Sequence, residues 1–171
     1  MIDGAGDPNT VPAYITAVQS LHGLAYGICA LSKASGLVYS VMPLEGLWWF
    51  ATGAPIDGDE RCKDKFIWTM MIRQPDHITP ALFNEALAAS ARKKPDLPFD
   101  AVRLETYHEG KSAQILHMAP YSEEEPTISR LHNFIAASGC TIRGQHHEIY
   151  LNDPRKVAPE KIKTIIRYPV E

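Results

Sequence analysis

Residues 146–155, "HHEIYLNDPR", place two histidines and a glutamate, side chains able to move protons, close together in the chain. The run alternates like a strand and ends in an Asn-Asp-Pro turn. His146, Glu148 and Tyr150 therefore share one face, while His147, Ile149 and Leu151 share the other. The apolar members of the second set are expected to face the helices, leaving Glu148 and Tyr150 on an open face. A carboxylate among aromatic rings has its charged form disfavoured unless something compensates. Such a glutamate suits a general base or an anchor for a cationic ligand; a solvated strand carboxylate is the plainer alternative. A metal centre fits less well. His146 and His147 diverge as strand neighbours, unlike the i, i+4 pair of a zinc-binding helix. Zinc needs three or four converging ligands, and only distant His117, His108 or Asp153 remain to supply them. No metal or other cofactor is expected.

The aromatic residues form the second cluster: Trp48, Trp49 and Trp68, with Tyr107, Tyr121 and Tyr150 from other strands or strand ends. Trp48 and Trp49 must split between faces, and Trp68 shares its face with Met70 and Ile72. Core packing explains most strand aromatics, but six large rings exceed what one helix-covered face of a small domain needs. Several are expected to build a flat aromatic pocket. Glu45 in "MPLEGLWW" falls at a predicted turn, as pocket rim or, preferably, solvated charge. The three acids of "SEEEP" stand at a helix start, where the macrodipole is sufficient reason for them. No Ser/His/Asp or Cys/His pattern is present, and "GAGDPN" lacks the further glycine or lysine of a phosphate loop.

The elements that must position these residues follow from periodicity and punctuation. Tyr14, Val18, Leu21, Ala25, Ile28 and Leu31 recur at helical intervals, predicting a helix over 11–33 capped by Asn9 or Thr10 and stopped near Gly36. "LVYSVMPLEGLWWFAT" suggests two strands about a turn at 43–46, followed by a loop over 52–64 and a strand in "KFIWTMMIRQP". Thr79 and Pro80 open a second helix that ends at Arg92, Lys93 and Lys94. A hairpin turning at 108–110 is expected next. A third helix begins at Ser122 or Glu123, with Ile128, Leu131, Phe134 and Ile135 as its stripe and Gly139 as its stop; strands over 141–151 and 161–170 complete the chain. "MIDGAGDPNTVPAYITAV" and "ILHMAPYSEEEPTISRL" both run strand, turn, long helix. The predicted class is α+β: a duplicated strand-helix-strand-strand unit forming an antiparallel sheet, with helices on one face and a ligand cleft on the other. The 171 residues are expected to form a single domain, with its first strand expected to be truncated before "MIDG".

Lys plus Arg number 17 against 20 for Asp plus Glu, without a basic stripe, which argues against direct nucleic-acid binding. Three widely spaced cysteines without a CxxC fit reduced thiols in the cytoplasm. No apolar run approaches the roughly 20 residues that span a bilayer.

Five segments, "MIDGAGDPN", "MPLEGLWW", "FIWTMMIRQPDHIT", "QILHMAPYSEEEPTI" and "HHEIYLNDPRKVAPEKIKTIIRYPV", together resemble the GyrI-like small-molecule-binding domains, in particular their stand-alone subgroup. The resemblance implies a cleft between duplicated halves and an acidic residue ringed by aromatics, a position matched by Glu148. It further implies a hydrolase that opens the cyclopropane ring of yatakemycin- and duocarmycin-type DNA-alkylating compounds. In that chemistry Glu148 activates water and Tyr150 or Tyr121 donates to the dienone carbonyl. Trp49 and Trp68 clamp the planar substrate, with Trp48, Tyr107, His146, Met70 and His117 completing the ligand surface. The expected partners are planar hydrophobic small molecules, with a homodimer left open. Two other classes remain: a non-catalytic multidrug-binding or sensing module, and a module that acts on an enzyme such as gyrase.

Overall fold

The computed structural model describes the chain apart from residues 54, 55 and 57–59 and the side chains of residues 60–62. Its elements run in the order β1 (Ile2–Ala5), α1 (Pro12–Ala34), β2 (Leu44–Phe50), β3 (Phe66–Ile72), α2 (Pro80–Lys93), β4 (Ser112–Met118), α3 (Glu125–Ala137), β5 (His146–Tyr150) and β6 (Lys163–Pro169). The six strands pair antiparallel in the order β1-β3-β2-β5-β6-β4. Each half contributes a strand, a helix and two further strands, and the sheet order reads the same from either edge. Gly46 and Glu148 pair at the centre of the β2–β5 seam, with Leu47 and His147 next to them, where the two halves meet. The predicted α+β duplication is the observed architecture.

Local chemistry fixes the helices. Pro12 stands in the first turn of α1, but the N-cap is Val11, whose side chain makes no cap bond; Asp7 collects the turn instead, its carbonyl accepting from Thr10 and Val11. Asn9 and Thr10 are therefore not caps. Gly36, at φ +85, takes the left-handed turn that ends α1, while Leu37 N–H returns to the Ser32 carbonyl. Thr79 caps α2 as expected, its hydroxyl accepting from Leu82 N–H at 3.3 Å. On α3 the stripe is Ile128, Leu131 and Ile135, and Phe134 is exposed.

One sheet face carries the main core. Ile2, Trp48, Trp68, Met70 and Ile72 pack beneath α1 and α2, while Ile166, Tyr168 and Val170 pack beneath α3. Gly4 matters here because a Cβ on it would lie 2.1 Å from the Trp68 ring, so only glycine lets the indole lie flat against β1.

Two predicted strand segments are not strands. Residues 37–42 run alongside the core without pairing, since β3 and β5 already occupy both edges of β2. The hairpin expected through 108–110 also fails: β4 pairs with β6 alone, and the preceding segment crosses the opposite sheet face as a strap. Arg103 N–H bonds the Met1 carbonyl at 2.9 Å at one sheet edge, and the Lys111 carbonyl accepts from Val170 N–H at 2.8 Å at the other. Six strands span about 24 Å at their usual spacing, and eight residues reach about 27 Å when extended. The strap must run nearly straight, so it cannot also turn back on itself. The loop predicted over 52–64 is partly helical, with a 3₁₀ segment at Glu60–Lys65; its other residues fall partly outside those described.

Beneath the sheet the strap is fastened by charge. His147 lies buried between Glu45 (Nε2–Oε2, 3.0 Å) and Glu109 (Nδ1–Oε1, 3.0 Å), and Arg167 reaches Glu109 at 3.4 Å and Gln114 at 2.6 Å. Glu45 is therefore neither at a turn nor a solvated charge. It sits within β2, and its side chain is 16% exposed. Burial opposes charge on His147, but its hydrogen bonds with Glu109 and Glu45 outweigh that and raise its pKa.

Candidate functional site

The seam between the halves floors a cavity of about 950 Å³ that opens between α1 and α3. Register places Gly46 opposite Glu148, Trp48 opposite His146 and Leu44 opposite Tyr150, all on the helix-bearing face. The expectation that Glu148 faces away from the helices is thus reversed. β1, β2 and β3 turn apolar residues or glycine toward the helices, and β4 and β6 add only His117, Thr164 and Tyr168 to theirs; β5 turns His146, Glu148 and Tyr150 there and nothing apolar, where α1 and α3 part. A departure from pattern of this kind commonly marks a functional position.

Glu148, whose side chain is 13% exposed, is enclosed by donors. His146 Nε2 lies 2.8 Å from its Oε1, and His146 Nδ1 lies 2.6 Å from the Tyr168 hydroxyl. A charged carboxylate only accepts, so the Glu148 contact places a proton on His146 Nε2, while the Tyr168 hydroxyl that meets Nδ1 also donates to the Ile56 carbonyl at 3.3 Å. Tyr150 also hydrogen-bonds Glu148, while its own oxygen accepts from Trp48 Nε1 at 3.1 Å. Gly46 makes that last contact possible: a Cβ there would lie 2.7 Å from Trp48 Nε1 and 3.1 Å from the Tyr150 hydroxyl.

The third hydrogen-bonding neighbour of Glu148 is Glu124, the residue just before α3, which is 7% exposed. Its Oε1 is buried without a partner. Burial first, and the Glu148 charge second, push the Glu124 pKa up to about 10. Burial would raise Glu148 too, but the hydrogen bonds from His146 and Tyr150 outweigh it and hold that carboxyl below its ordinary value. Two touching buried carboxylates cannot both ionise, and the donors decide between them: Glu148 carries the charge and Glu124 the proton. The macrodipole reading of "SEEEP" is overturned for Glu124. Its spacing held the clue, because Glu124, Ile128, Leu131 and Ile135 form one i, i+4, i+7, i+11 stripe.

Glu124→Gln isolates this proton thermodynamically. A carboxyl with raised folded pKa contributes stability that is fully present below its unfolded value of 4.5 and is lost as pH rises toward about 10. The melting temperature of Glu124→Gln minus that of the wild type should therefore increase steadily from pH 5 to pH 9 in calorimetry. A constant difference would mean that Glu124 is ionised in the folded protein.

The rest of the lining is aromatic. Tyr14 on α1 hydrogen-bonds Tyr150 and packs against Trp48 at 5.9 Å, Phe66 lies 5.6 Å from Trp48, and Tyr121 meets Tyr150 edge-on at 5.9 Å. Burial, then the Glu148 charge, raises the pKa of Tyr14, Tyr121 and Tyr150. Of the residues singled out by sequence, Glu148, Tyr150, Tyr121, Trp48 and His146 converge here. Five do not. Trp49 lies on the reverse face, and Trp68 and Met70 are sealed in the core at 1% and 0% exposure. Tyr107 lies beside His147 on the reverse face. His117 is buried, joining β4 to the start of α3 through Thr127 Oγ1 and the Pro120 carbonyl. Glu124, Tyr14, Tyr168 and Gly46 were missed.

Glu124, His146 and Glu148 also bring one ligand atom each within 4.8 Å of one another, the group among the described residues that could hold a metal ion. Zinc bonded at about 2.1 Å keeps ligands no more than about 4.2 Å apart. His146 and Glu124 each hydrogen-bond Glu148, which describes a shared proton better than a metal cage. Among the described residues no helix is long and apolar enough to cross a membrane.

The sequence model of a family described as "GyrI-like small molecule binding domain" matches residues 14–171. Similar solved structures come from Listeria innocua, each 38% identical and covering 99% of this chain and 85% of its own. They are an uncharacterized conserved protein at a TM-score of 0.90, and two chains described as hydrolases, one encoded by lin2189, each at 0.84. No curated protein matches.

Proposed function

The chain belongs to the GyrI-like small-molecule-binding family, and from that premise we propose that it is a hydrolase that disarms cyclopropane-bearing DNA alkylators of the yatakemycin and duocarmycin type by adding water. The observation that carries this reading is the unequal carboxyl pair, charged Glu148 against protonated Glu124, at the bottom of an aromatic cavity. The hydrolase descriptions of the Listeria proteins support the reaction type.

The pair is matched to the reaction. Glu148 removes a proton from water as the oxygen bonds to the cyclopropane methylene carbon. The ring C–C bond breaks, its electrons pass into the dienone, and the carbonyl oxygen gains negative charge. Glu124 protonates that oxygen to a phenol. Glu148 then holds one proton and Glu124 none; the hydrogen bond between them lets the proton return, and the pair is reset. Tyr150, whose hydroxyl is committed to Glu148, positions the base. Tyr121, 37% exposed at the cavity wall, remains available to the substrate carbonyl. Trp48 takes the stacking role assigned by sequence to Trp49 and Trp68.

The test is a chromatographic time course of a duocarmycin-type compound with substoichiometric protein. Many equivalents of the ring-opened, water-added product per protein are expected. An unconsumed compound that still quenches tryptophan fluorescence would make the domain a drug-binding or sensing module, with Glu148 as ligand anchor.

A further inference from the structure

The cavity continues well beyond the carboxyl pair. Tyr14, Val18, His22 and Tyr26 recur every four residues along α1, and all four line it. Tyr14 stands at the Glu148 network, and twelve residues of helix carry the stripe about 18 Å outward to Tyr26. The facing wall is Met42 and Pro43 together with residues 151–156. A cavity of about 950 Å³ is at the upper end for drug-sized ligands, far more than a reacting ring needs.

The outer end is shaped for a flat group. The His22 and Tyr26 rings stack at 6.4 Å with 28° between their planes, and Tyr26 is 64% exposed, leaving its ring open to the trough. Arg155 lies near enough to His22 for its charge, after burial, to lower the histidine's pKa. Its guanidinium is held by Asp153 through two contacts of 2.9 Å, so its planar face is fixed. Such a face stacks on electron-rich rings.

Resting on the reading that the ligand reacts at Glu124 and Glu148, we infer that the α1 trough is a second subsite. It takes a flat, electron-rich aromatic arm linked to the reacting head, with His22 and Tyr26 on one side and Arg155 near the outer end. These residues select elongated, two-unit substrates. They act on binding alone, because His22 and Tyr26 are about two and three helical turns beyond Tyr14, which stands at the carboxyl pair.

The experiment compares a two-unit duocarmycin-type compound with the same compound truncated to its cyclopropane-bearing ring system. It uses wild type, His22→Ala and Tyr26→Ala, with Kd read from tryptophan quenching and kcat and KM from product formation. Each substitution should weaken Kd and raise KM for the two-unit compound about 3- to 10-fold while kcat stays within about twofold. The truncated compound should bind all three proteins equally. Equal weakening for both compounds, or none for the two-unit compound, would overturn the subsite. If neither compound is turned over, the hydrolase reading fails while the Kd comparison still decides the trough.

Discussion

Glu148→Gln is expected to lower turnover of a cyclopropane substrate by about 100- to 10,000-fold, the range supplied by a positioned general base, with Kd nearly unchanged. Gln keeps the shape and can still accept from His146 Nε2 and the Tyr150 hydroxyl, so the bonds that hold the side chain at 2.8 Å survive. What disappears is the capacity to take a proton from water. The mutant also removes the charge that raises Glu124, so Glu124 becomes more acidic and its own proton is less secure. Loss of turnover with retained binding follows from both effects. Undiminished turnover in folded Glu148→Gln would remove this residue from the chemistry.

The second large effect is on stability. His147→Leu should cost about 3–5 kcal/mol, the scale for breaking a buried ion pair by deleting one partner, because Glu45 and Glu109 are left facing each other with side chains 16% and 9% exposed. Arg167 remains beside Glu109 and relieves part of the penalty. The pH window follows from the shifts. His147 has a raised folded pKa, so its contribution is complete below its unfolded value of 6.5 and is lost as pH rises through the folded value. Glu109 has a lowered one; although burial works against its charge, His147 prevails, and its contribution is present above 4.5 and lost as pH falls. The wild-type advantage in urea unfolding should therefore peak between about pH 4.5 and 6.5 and decline on the alkaline side. An advantage independent of pH would show that His147 is neutral.

Spacing carried much of this fold. The three helices, the strand-helix-strand-strand duplication, the Thr79 cap and the Gly36 stop are all local signals, and local signals survive folding. The side assignment of β5 was not local. Ile149 and Leu151 look like its core face until one knows that β2 lies alongside, turning Gly46 and Trp48 upward and Glu45 down. Trp49 and Trp48 are likewise indistinguishable until register separates them. Glu124 was legible in principle from its stripe with Ile128 and Leu131, but two neighbouring glutamates concealed it. The strap was illegible, since nothing in 102–111 says that both sheet edges must be reached.

The seam between the halves also orders events during synthesis. Leu47 and His147 are 100 residues apart, so β2 is made long before the strand that will cover its edge. Until β5 emerges, the nascent chain presents "LEGLWWF" as an open edge, a template for pairing with other chains. Glu45, later a clasp for His147, is the one charge on that edge. In the unfinished chain it serves as a gatekeeper against aggregation, a duty that ends when His147 arrives to neutralise it.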